Sequence, residues 1–139
     1  MDAVNFWLNR EVNKVEADCL RQIAQVNAAK SLADVVKAAN VHLKAELRAL
    51  RHTIPGIRRL EQQASARIRA LLAQRLTRIQ EATTAEQALR RRGRLMADCE
   101  VLRGKFSQEY RYADQESQRL VYLAQQKAPT PPADAAPAP

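Results

Sequence analysis

Residues 8–57 read LNREVNKVEADCLRQIAQVNAAKSLADVVKAANVHLKAELRALRHTIPGI, and apolar side chains return there every three and four positions. Set in heptads, one seam position takes Val12, Cys19, Val26, Ala33, Asn40, Leu47 and Ile54, and the other takes Leu8, Val15, Gln22, Ala29, Val36, Leu43, Leu50 and Ile57. Thirteen of the fifteen are apolar; Gln22 and Asn40 are the exceptions. Such spacing predicts a helix that seeks a partner helix along a coiled-coil seam. A polar residue on a seam costs stability unless it finds a mate, so Asn40 either fixes register and strand number or faces a wet edge.

The rest of the chain agrees with an all-α class. Three glycines, abundant alanine and 4% aromatics leave burial to Leu, Ile, Val and Ala packed along helical stripes. From Ala3 to His52 the pattern predicts one rod of about 75 Å at 1.5 Å per residue. Asp2 is placed to cap its start. Phe6, Trp7 and Leu8 form an apolar knot that reads as an end plug or as a docking tip. Glu11 with Lys14, Asp18 with Arg21 and Asp34 with Lys37 set opposite charges one turn apart.

Thr53-Ile54-Pro55-Gly56 ends the rod. Proline removes an amide and pushes the preceding residue out of helical geometry, and Thr53 can cap the helix that follows. That second helix carries a stripe of Leu60, Ala64, Ile68, Leu71, Leu72, Leu76 and Ile79. At Thr83-Thr84-Ala85-Glu86-Gln87 a capping-box spacing either opens a new helix or makes a polar turn in a long one. Apolar residues continue through Leu89, Leu95, Cys99, Leu102, Phe106, Ala113, Leu120 and Leu123, with Gly93 and Gly104 as weak points. The expected architecture is an elongated antiparallel helical hairpin or an uneven three-helix coiled-coil bundle over residues 1–127. Five prolines in residues 128–139 predict a disordered Pro/Ala-rich tail.

Charge is the second informative feature. The net charge is +8, and residues 44–94 hold thirteen basic against four acidic groups, a local +9. Arginine dominates, which suits planar contacts to carboxylate or phosphate. The candidate contacts are Arg58, Arg59, Arg67, Arg69, Arg90, Arg91, Arg92 and Arg94. An acidic protein partner fits them. Nucleic acid fits as a non-specific partner, because the cations wrap the helix instead of holding one face, and interleaved aromatics are lacking. A membrane surface fits poorly, since the apolar positions are claimed by seams.

Other function classes find no support in the sequence. Ser31, Ser65, Ser107 and Ser117 lack the glycine context of a nucleophile elbow, no Gly-rich phosphate loop occurs, and His42 and His52 are too far apart on one helix to share a metal. Neither an enzyme nor a cofactor is expected. Cys19 and Cys99 sit at apolar positions and read as small buried hydrophobes, able to pair only if their helices lie side by side. No leader or spanning segment is read, so a cytoplasmic location is expected. In outline a small, basic, helical chain with a proline-rich end resembles the stalk proteins of flagellar and type III export ATPases, and equally many phage and plasmid helical proteins. That resemblance implies a scaffold or adaptor component and carries no residue roles. The expected function is a coiled-coil interaction protein that binds an acidic protein or self-associates, with non-specific nucleic-acid binding as the alternative.

Overall fold

The computed structural model describes residues 3–127; the expected tail lies outside them. The described chain is helical, with no strand. Its elements are α1 (Ala3–Ala28), α2 (Leu32–Ala38), α3 (Ala45–Arg48), α4 (Pro55–Gln80), α5 (Ala85–Asp98) and α6 (Ser107–Lys127). Short 3-10 turns cover Arg51–Thr53 and Cys99–Leu102. Among the described residues no helix is long and apolar enough to cross a membrane.

Helix α4 is the centre of the molecule, with α1, α2, α5 and α6 all packed against it. Its stripe of Ile57, Leu60, Ala64, Ile68, Leu72 and Ile79 is buried, as the three- and four-residue spacing requires of a helix covered on more than one side. Val15, Cys19 and Val26 enter this core from α1, Leu95 from α5, and Ala113, Leu120 and Val121 from α6. Phe106, between the second 3-10 turn and α6, is buried with them.

The start of α4 shows why Gly56 is glycine. Pro55 occupies the first turn, where its missing amide costs nothing, and Ile54 precedes it in extended geometry. Thr53 does not cap this helix; its hydroxyl donates to the Leu50 carbonyl instead. The cap comes from α1, whose Glu16 carboxylate accepts from the Gly56 amide at 3.0 Å. A β-carbon on Gly56 would stand 3.2 Å from the Cys19 β-carbon and press on the Glu16 carboxylate. A side chain there would force the Glu16 carboxylate aside and crowd Cys19.

The expected rod from Ala3 to His52 is corrected: it breaks after Ala28, and the chain reaches α4 through α2, α3 and a 3-10 turn. Ser31 causes the first break. Its hydroxyl accepts from the Asp34 amide, an N-cap that starts α2 afresh, with the Asp34 carboxylate in the favourable first turn. Restarting the helix turns Leu32 and Val35 inward, while Ala33 is exposed and Val36 is half-buried. The carbonyls left by the breaks are taken by long polar side chains. Arg67 donates from Nε and Nη2 to the Ala29 oxygen at 2.9 and 2.7 Å, and the Gln22 amide donates to the oxygens of Ala38 and Asn40.

A single unbroken seam is therefore absent. Of its residues Val15, Cys19, Val26, Leu47 and Ile54 are buried, Val12, Val36, Leu43 and Leu50 are half-buried, and Asn40 is exposed in the loop after α2. His42 shares that loop and His52 lies in the 3-10 turn, so the two are not on one helix. Near the N-terminus Phe6 is exposed, whereas Trp7 is half-buried with the Lys44 ammonium 5.8 Å from its ring centre. Lys44 also reaches the buried Glu11 at 3.2 Å and holds its carboxyl below the usual range.

Candidate functional site

The chain turns over residues 81–84 between α4 and α5, and Thr84 opens α5 by accepting from the Gln87 amide. Two cross-links fix the orientation. Arg75 pairs with Asp98 at 2.9 Å, and the Arg91 guanidinium donates to the Arg78 carbonyl oxygen at 2.5 Å. Numbers rise along α4 as they fall along α5, so the helices run antiparallel.

That arrangement gathers charge. Residues three apart share a helix face, so Arg75 with Arg78 on α4, and Arg91 with Arg94 on α5, point into the same furrow. Together with Ala97 and Asp98 they line a groove of about 630 Å³. Four guanidinium groups thus face one carboxylate, and that carboxylate is held by Arg75. Arg78 and Arg94 are exposed and, among the described residues, make no ion pair. Arg90 extends the basic rim, lining a smaller depression with Gln87, Arg91 and Arg94.

The arginines expected from the sequence as partner contacts separate into three groups. Arg67 is committed to the Ala29 carbonyl, Arg69 lies 3.9 Å from the buried Glu109 and 5.2 Å from the centre of the Tyr112 ring, and Arg92 is held between α5 and α6. In that last contact Arg92 donates to Asp114 at 2.5 Å and to the fully buried Ser117 hydroxyl at 3.0 Å. These three join helices. Arg58 and Arg59 are exposed in the first turns of α4, at the opposite end of that helix from the groove. Arg90, Arg91 and Arg94 belong to the groove.

Arg75 and Arg78 were not among the expected contacts. A signal for them did exist: if Thr84 caps a new helix, the short turn folds α5 back on α4 and brings Arg75 and Arg78 opposite Arg91 and Arg94.

A guanidinium stays protonated at any working pH and presents its donors in a planar fork, so the groove can accept carboxylate or phosphate oxygens bidentately. Among the described residues no group of three or more His, Cys, Asp or Glu side chains is placed to hold a metal. Comparison with protein-family models, with curated proteins and with solved structures finds no match to this chain.

Proposed function

We propose that this chain is a non-enzymatic, cytoplasmic adaptor, an uneven helical bundle that docks an acidic segment of another protein in the arginine groove between α4 and α5. The observation that carries the reading is the lining of that groove, four arginines against a single, already paired aspartate. Like charges brought together across two helices destabilise the fold modestly, and an acidic occupant relieves the repulsion. The self-associating coiled coil is the weaker form of this reading, because the seam it needs is interrupted at Ser31 and Asn40.

Polyglutamate is a suitable first probe. The wild-type chain should be retained on it at low ionic strength and released as salt screens the attraction. A variant carrying Arg78→Gln and Arg94→Gln, two exposed positions whose side chains make no hydrogen bond or ion pair among the described residues, should be released at markedly lower salt with unchanged helicity. Equal retention of variant and wild type would overturn the reading, and so would preference for duplex DNA over polyglutamate in direct competition.

A further inference from the structure

The basic groove does not end at Asp98. A second cavity, of about 330 Å³, opens on the far side of Arg75, and the two share Arg75, Ala97 and Asp98 as a common wall. Its lining is of another kind. Leu32 and Ala33 of α2, Leu71 of α4 and Val101 of the 3-10 turn give it the larger, apolar share of its lining, with Lys30, Ser31 and Gln74 completing it. Val101 is 43% exposed although it lies beside buried Leu102 and Cys99. A notch with a mainly apolar lining therefore adjoins the arginines.

We infer that the occupant is a protein segment in which a large apolar side chain sits beside carboxylates, the apolar group entering the notch while the carboxylates lie along Arg78, Arg91 and Arg94. This rests on the proposed function and makes it narrower. A uniformly acidic chain satisfies the arginines and leaves the notch filled with water. A nucleic-acid backbone does the same. Only a segment with an apolar anchor next to its acids uses both halves. Burying a Leu-sized side chain is worth about tenfold in affinity even when the burial is partial.

Two short synthetic peptides of equal charge test this on the full chain: glutamates flanking a pair of leucines, and the same sequence with glutamines in place of the leucines. Binding is read by fluorescence anisotropy. The leucine peptide should bind about tenfold more tightly than its control. Val101→Ser, at an exposed position, should remove most of that difference while leaving the control peptide's affinity alone. Ala33→Gln, which places bulk at the notch from an exposed helical position, should do the same and serves if the first variant loses helicity. Equal binding of the two peptides to the wild type would overturn the notch while leaving the groove standing. A leucine advantage undiminished in both variants would also overturn it. Failure of both peptides to bind would remove the groove and the notch together.

Discussion

The side-chain amide of Gln22 donates to the backbone oxygen of Asn40 at 2.7 Å, and to that of Ala38 at 3.0 Å. The two polar residues that interrupt the apolar pattern of the first fifty residues thus meet, though not as a seam pair. Gln22 closes the C-terminal end of α2 from α1, and Asn40 contributes a carbonyl, with its own amide 3.3 Å from His42 in the exposed loop. Gln22→Ala should therefore destabilise the fold by about 1–2 kcal/mol, since it strips partners from carbonyls at a helix end. Asn40→Leu should leave stability within about 0.5 kcal/mol of wild type and should not change the oligomeric state. Chemical denaturation with light scattering checks both. A large stability gain for Asn40→Leu, with a broadened mass distribution, would instead indicate a buried seam position.

Gly56→Ala exchanges a poor helix former for the best one, yet should lower stability by about 1 kcal/mol, because the added methyl meets Cys19 and displaces the Glu16 cap. Glu16→Ala, which removes only the cap, should cost a similar amount. Thermal melts of the two variants decide it; a higher melting point for Gly56→Ala would mean that α1 and α4 are not closely apposed there.

The arginines of α5 should divide by partner. Arg92→Gln breaks the links to Asp114 and to the Ser117 hydroxyl, which keeps the Asp114 carbonyl as its own acceptor, so a loss of about 1 kcal/mol is expected. Arg90→Gln, two residues away and exposed, should change stability by less than about 0.5 kcal/mol. Equal effects of the two substitutions in urea denaturation would contradict the assignment.

Burial pushes the Cys99 thiol up to about 11. A group whose folded-state value is raised contributes stability that is complete below its unfolded value, about 8.5 for a cysteine, and is lost as pH rises through the folded value. The wild-type melting point should accordingly fall on going from neutral to strongly alkaline pH, and Cys99→Ala, less stable at neutral pH, should fall less. At neutral pH, thiol-reagent labelling of Cys99 should proceed only as fast as the fold opens; rapid labelling of the native protein would be inconsistent with its burial.

The α4 stripe is readable in the sequence because its period is kept for about six turns and both flanks are covered by other helices. The helical class followed from composition. The break of the first helix was not foreseen, since residues 26–36 keep their apolar spacing across a cap that only Ser31 and Asp34 mark. Alanines at 28, 29 and 33 satisfy an apolar pattern whether they face inward or outward. For the groove, the local excess of charge was visible, but its sorting was not. Arg67, Arg69 and Arg92 are spent on contacts 22 to 43 residues distant in the chain, which spacing along one helix cannot disclose.

The most direct measurement of the central claim is a titration of the isotopically labelled protein with polyglutamate, followed through the Nε–Hε signals of the arginine side chains. Signals of Arg75, Arg78, Arg91 and Arg94 should move together and saturate, while those of Arg58, Arg59 and Arg67 stay in place. Movement of all arginine signals alike, or movement centred on Arg58 and Arg59, would contradict a docking groove between α4 and α5.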